Sequence, residues 1–200
     1  MSQTDGLTDF DHFLPQRNTL FVRGLVLTVS GGLLTLFSLL IPDVRIMFQN
    51  SSWLPMVAIV ILASGAFSCL DAVFWRHTKE FYTNLQIAVL DSIVGIMLLT
   101  ELNKPADKLI MLAAAYLMIK GLFRVFAGYA VHFSHFNVAI FGGMLSVFLG
   151  ILLWQEWPLS SMWFICFCLS IDIFTRGWAL TRFGVWLKAQ NKLKKPSPLI

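Results

Sequence analysis

The chain has 200 residues, 57% of them hydrophobic and 13% charged, with a formal net charge of +4. Soluble domains run at about 45–50% apolar and about 25% charged, so a water-soluble fold, which could not hide this much apolar surface, is excluded. The modest positive excess gathers toward the C-terminus and points to anionic lipid rather than nucleic acid as the charged partner.

Residues 1–18 are polar and carry Asp5, Asp9 and Asp11, which reads as a cytoplasmic N-terminal segment. It is not expected to be a signal peptide: the apolar run that follows is too long for an h-region and no small-residue cleavage site ends it. Six apolar segments are then predicted as helices, at about 19–41, 53–75, 82–101, 109–131, 136–155 and 158–183. Each is near the roughly 20 residues needed to cross a bilayer core. Short links such as Pro42-Asp43, Asn103-Lys104-Pro105 and Glu156-Trp157-Pro158 make sequential helices antiparallel neighbours. Trp53, Trp75, Trp154, Trp157 and Trp186 fall near helix ends, where an interfacial aromatic belt belongs. The expected fold class is an all-α membrane protein whose six transmembrane helices, over 19–183, form three repeated two-helix hairpins.

Lys and Arg set the orientation. Arg17, Arg23, Arg76, Lys79, Arg182, Lys188, Lys192, Lys194 and Lys195 share one side, against Arg45, Lys104 and Lys108 on the other. Positive-inside puts both termini in the cytoplasm. The basic tail over 184–200 mixes Phe183, Val185, Trp186, Leu187 and Leu193 with Lys188, Lys192, Lys194 and Lys195, next to Arg182. Two readings stand for it: an interfacial helix binding lipid headgroups along the inner leaflet, or a solvated tail that only fixes topology.

A regular spacing organises the even helices. Gly65, Gly121 and Gly177 stand 56 residues apart, each after a polar residue (Ser64, Lys120, Arg176), and Ala58, Ala114 and Ser170 precede them by seven. Small residues at matched places allow close helix approach in membranes. On the odd helices Gly24 and Gly32 match Gly142 and Gly150 in spacing, Gly95 stands alone, and Pro42, Pro105 and Pro158 follow. Gly142-Gly143 reads as a packing site. Helix packing is therefore expected at Gly24, Gly32, Gly65, Gly95, Gly121, Gly150 and Gly177.

Polarity recurs with the glycines. Thr28, Asp91 and Ser146 lie midway along the odd helices. Even-helix faces read Val60-Ser64-Ser68, Tyr116-Lys120-Arg124 and Asp172-Arg176-Leu180. Equivalent positions should point one way, so an inward face near the midplane is expected, with an intramembrane polar network of Asp91, Tyr116, Lys120, Arg124, Asp172 and Arg176. Asp71 lies nearer the cytoplasmic end and could add a negative charge. A charge at the bilayer centre costs about 2.5–3.5 kcal/mol on insertion scales, so Lys120 and Arg124 should be paired by Asp91 and Asp172. A register-fixing ion-pair network, an ion or proton pathway, and a polar ligand pocket remain open.

Reactive motifs are not evident. His132 and His135 are three apart with no carboxylate or thiol near in sequence, His77 sits beside Arg76, and Cys69, Cys166 and Cys168 read as buried thiols. No catalytic, cofactor-binding or metal-ligating residue is assigned, and no cofactor is expected.

Arg23-Gly24, Gly32, Pro42, Gly65, Gly95, Pro105, Gly121, Gly150, Pro158 and Gly177, spread over residues 18–183, resemble the pattern of the HdeD family. These are small six-helix bacterial inner-membrane proteins linked to acid resistance. The resemblance implies a non-enzymatic, multi-pass inner-membrane protein supporting acid or envelope stress tolerance, and carries over no functional residues. The acidic N-terminal extension and the basic tail depart from the pattern. A small proton or ion channel using the midplane charges is the alternative. A scaffold is another, with a second copy or another membrane protein as partner.

Overall fold

The computed structural model describes residues 17–42, 53–74, 81–102, 105–130, 136–155 and 162–194. Six helices account for nearly all of them: α1 (Arg17–Leu40), α2 (Leu54–Phe74), α3 (Phe81–Thr100), α4 (Ala106–Ala130), α5 (Phe136–Trp154) and α6 (Met162–Lys194). The fold is all-helical. Prolines stand where helices tolerate them: Pro42 just after α1, Pro55 in the first turn of α2, and Pro105 just before α4.

Among the described residues, three helices are long and apolar enough to cross a membrane, over Phe21–Leu40, Ala106–Phe126 and Met162–Arg182. The other three carry shorter apolar stretches, Leu54–Leu70, Leu85–Thr100 and Ile140–Trp154. The surface is apolar, with Phe67 62%, Phe126 67%, Phe141 69% and Leu40 74% exposed, while Asp91, Lys120 and Asp172 are buried. That inversion of the soluble pattern marks a protein with candidate membrane-spanning helices.

The most intimate pairs are α1 with α6, α2 with α3, and α4 with α5. Each even helix thus packs closest on the odd helix after it, and α6 closes on α1. Glycines make the approach possible. A Cβ on Gly65 would lie 2.7 Å from the backbone nitrogen of Ser92, and one on Gly121 would lie 2.8 Å from that of Val147. One on Gly177 would collide with the backbone nitrogen of Thr28. The odd-helix glycines answer in the same way: Gly31 against Phe174, Gly95 against Leu62, Gly150 against Met118, each three residues before an even-helix glycine. Gly24 meets Thr181 and Gly143 meets Gly121.

This register corrects the expected glycine pairing by one residue. Gly31 and Gly143, not Gly32 and Gly142, make the backbone approach. A Cβ on Gly32 would meet only the Phe174 ring at 3.5 Å, an ordinary contact, and Gly142 faces the Arg124 guanidinium. Glycines seven apart return to nearly the same helix face, whereas an eight-residue step turns away by most of a right angle.

The last helix also differs from expectation. It runs unbroken to Lys194 instead of ending near 183, because Gly184 is packed against Phe21 and the following residues are mostly good helix formers. Its 33 residues span about 50 Å, against a hydrocarbon core of about 30 Å. Arg182 is exposed. Lys188, Lys192 and Lys194 lie on the helix with side chains outside the described set, and Lys195 lies outside the described residues. So do residues 1–16, Arg45, Arg76, His77, Lys79, Lys104, His132, His135, Trp75, Trp157 and Pro158, and the side chains of Asp71 and Trp186.

The interior has two halves. One end holds the start of α1 and the finish of α6, as the Gly24–Thr181 approach shows. The opposite end is filled by aliphatic side chains, among them Leu54, Val57, Leu98, Leu109, Leu153 and Ile165, all within 2% of complete burial. Polar groups begin at the middle and continue toward the terminal end. At the far rim Trp53 stacks on Phe37 with centroids 5.1 Å apart and donates from Nε1 to the Ile41 carbonyl at 3.0 Å.

Candidate functional site

Midway along α3, α4 and α5 stand Asp91, Tyr116 and Ser146, and a third of the way along α6 stands Asp172; all four are buried. One turn further toward the terminal end come Lys120 and Arg176, then Arg124. These side chains form one network. Lys120 Nζ lies 3.1 Å from Asp91 Oδ1 and 2.8 Å from Asp172 Oδ2. It also donates to Tyr116 OH at 2.5 Å and lies 4.7 Å from that ring's centroid. Tyr116 in turn donates to Asp91 Oδ1 at 2.8 Å. The contact with Asp172 Oδ2 is ionic rather than an aligned hydrogen bond.

The remaining partners are divided between the carboxylates. Arg176 Nη1 pairs with Asp91 Oδ2. Arg124 Nη1 pairs with Asp172 Oδ1 at 3.2 Å and donates to Thr175 Oγ1 at 3.5 Å. Ser146 Oγ lies 2.5 Å from Asp172 Oδ1 and 2.9 Å from the Gly142 carbonyl, and one proton serves the two. Lys120 is therefore the hub between two pairs. Asp172 and Arg176, one turn apart on α6, do not pair with each other: each reaches a different helix.

All six polar residues expected from the sequence meet. Of the odd-helix midpoints, Asp91 and Ser146 join the network and Thr28 does not. Thr28 bonds the Gly24 carbonyl at 2.7 Å and faces Thr181 Oγ1 at 3.4 Å. By the glycine register its neighbour Leu27, which is buried, occupies the place of Asp91 and Ser146.

Three contributors were not assigned from the sequence: Thr175 (already met as an acceptor from Arg124), Ser68 and Arg23. Arg176 Nη2 donates to Ser68 Oγ at 3.3 Å. Arg23 Nη2 donates to the same oxygen and to the Ser64 carbonyl at 3.1 Å. Ser68 lay on the face already read as inward, but hydroxyls there carried no separate signal. Arg23 sat near the start of a helix and counted toward orientation and the family pattern, not toward the network. Cys166 and Cys168 are buried, Cys69 is half-buried, and none of the three is in a disulfide.

Taken together, the fold and site define a class: a helical bundle apolar outside and ionic within, whose interior charges are matched by partners from other helices. No family model matches the chain, and no curated protein or solved structure matches it.

Proposed function

We propose that the chain is a six-span, non-enzymatic inner-membrane protein of HdeD type, supporting acid or envelope stress tolerance, with both termini in the cytoplasm. In this reading the 56-residue spacing is a threefold hairpin repeat, and α2, α3 and α5 also cross the bilayer. The observation that carries it is the network around Lys120. Lipid penalises isolated ions, and here both carboxylates and all three cations are paired across helices. Such a network fixes helix register and holds a compact bundle together under envelope stress. The equivalent backbone approaches of Gly65, Gly121 and Gly177 support the repeat. Partners in this reading are membrane lipids, anionic at the basic end of α6, with a second copy or another membrane protein as the further class.

Acid challenge tests it. Cells lacking the chain should survive less well than cells carrying it on a plasmid, and equal survival rejects the stress role. The alternative, a proton or ion pathway, is favoured by the run of linked polar groups but opposed by the aliphatic half that closes the opposite end. Proton flux into proteoliposomes decides: a pathway requires that Asp91→Asn or Lys120→Met change the flux.

A further inference from the structure

Charge does not balance within the network. Among the described side chains, Asp91 and Asp172 are the acids in contact with Lys120, Arg124 and Arg176, so two negative charges face three positive ones. Neither carboxylate has capacity to spare. Asp91 takes Lys120, Arg176 and the Tyr116 hydroxyl, and Asp172 takes Lys120, Arg124 and the Ser146 hydroxyl. Lys120 and Arg124 stand one turn apart on α4, where like charges repel. An excess cation held in so poorly solvated a place is costly.

The excess comes closest to the surface at Arg124. Lys120 is enclosed by Asp91, Asp172 and Tyr116. Arg176 uses both terminal nitrogens, Nη1 on Asp91 and Nη2 on Ser68. Arg124 uses Nη1 alone, on Asp172 and Thr175, and its Nε and Nη2 donate to no described atom. The side chain keeps 11% exposure. Gly142 adds no side chain over this group: a Cβ there would lie 3.3 Å from Nη2. Nε and Nη2 make up one edge of the planar fork, and such an edge matches two oxygens of a phosphate-type group. Arg124 stands two residues before the end of the apolar span Ala106–Phe126, about 3 Å along the helix axis. That is the end where α1 begins and α6 finishes, so in a bilayer this edge lies near the headgroups rather than at the midplane.

We propose that the Nε–Nη2 edge of Arg124, among α4, α5 and α6, binds a phosphate-type oxyanion held by the unbalanced positive charge of the network. The group is either free phosphate or the phosphate of a lipid headgroup. The depth of the site rests on the membrane reading above; the charge imbalance does not.

The test uses the full chain purified in a neutral detergent, with thermal melting followed by tryptophan fluorescence. Inorganic phosphate should raise the midpoint progressively, and chloride at equal ionic strength should not. Arg124→Lys keeps a charge beside Asp172 but loses the fork edge, and should need at least about tenfold more phosphate for the same shift. Lys120→Met removes the excess charge and leaves the edge in place, and should weaken the response by about tenfold as well. Arg182→Met, at an exposed position, should respond as the parent does. Equal stabilisation by phosphate and chloride overturns the proposal, as does a response unchanged in Arg124→Lys or one lost in Arg182→Met. A response unchanged in Lys120→Met overturns it too, because the charge that holds the anion would then lie elsewhere. Should Lys120→Met fail to fold, Arg124→Lys decides alone. Native mass spectrometry separates the two sources. A phospholipid retained by the parent and lost in Arg124→Lys assigns a headgroup, whereas a phosphate response without retained lipid assigns the free ion. Release of the protein from membranes by alkaline wash would sink the membrane reading while leaving the free-ion result intact.

Discussion

Replacing Lys120 by Met removes the cation that Asp91 and Asp172 share. The lost contacts are ionic ones at 3.1 and 2.8 Å and a hydrogen bond at 2.5 Å to Tyr116, all around a side chain only 2% exposed. At an effective dielectric constant near 20, each ionic contact is worth about 5 kcal/mol before desolvation. Burying the ammonium offsets several kcal/mol of that. Breaking a buried pair by removing one partner costs about 3–5 kcal/mol. Because Asp91 keeps Arg176 and Asp172 keeps Arg124, the loss should fall toward the lower end, about 3 kcal/mol. For a chain of this size each kcal/mol moves the melting midpoint by about 2–4 °C, so the midpoint should drop by about 6–12 °C. Cys166 and Cys168 are fully buried and serve as reporters, since a thiol-reactive fluorophore labels them only on unfolding. Arg182→Met, at an exposed position, is the control. A drop within about 2 °C of that control would refute the claim that Lys120 holds the carboxylates together.

Other expectations follow from the same geometry. Tyr116→Phe leaves Lys120 and Asp91 each short of one hydrogen bond and should cost about 1–3 kcal/mol in the same melt. Thr28 and Thr181 hydroxyls lie 3.4 Å apart, so a Thr28→Cys/Thr181→Cys pair in a background without native cysteines should oxidise within one chain. No intramolecular shift on a non-reducing gel would mean that α1 and α6 are not neighbours.

Much of the arrangement was legible in the even helices. Their glycines recur every 56 residues without slippage, and the face ahead of each glycine is the one that turns inward. The odd helices were harder because their glycines come in adjacent pairs, Gly31-Gly32 and Gly142-Gly143. Matching Gly24 to Gly32 chose an eight-residue step; helix geometry favours seven, and a check of angles would have selected Gly31 and Gly143. The same slip set Thr28 beside Asp91 and Ser146. Pairing within the network was partly legible: cations from α4 needed acids from other helices, and Asp91 and Asp172 supply them. That Arg176 turns to Asp91, and Asp172 to Lys120 and Arg124, depends on the order of helices around the axis. Sequence spacing does not encode that order.

The glycine register gives the sharpest test, because two adjacent residues should behave oppositely. Gly31→Ala places a Cβ 2.6 Å from the Phe174 backbone nitrogen and 2.9 Å from its Cα, and backbone atoms cannot turn aside as a side chain can. α1 and α6 must separate, with the about 1–3 kcal/mol cost of overpacking as a lower bound. Gly32→Ala meets only ring carbons of Phe174 at 3.5 and 3.6 Å, in ordinary contact. There the gain in helix propensity, roughly 0.5–1 kcal/mol in a soluble helix, should leave stability unchanged or slightly raised. Melting curves of the two variants decide the register: if Gly32→Ala is the destabilised one, α1 is rotated by one residue. The place facing Asp91 and Ser146 across the interior would then belong to Thr28 and not to Leu27. A hydroxyl in that place would extend the polar network onto α1, and the aliphatic contact of Leu27 with the core would be lost.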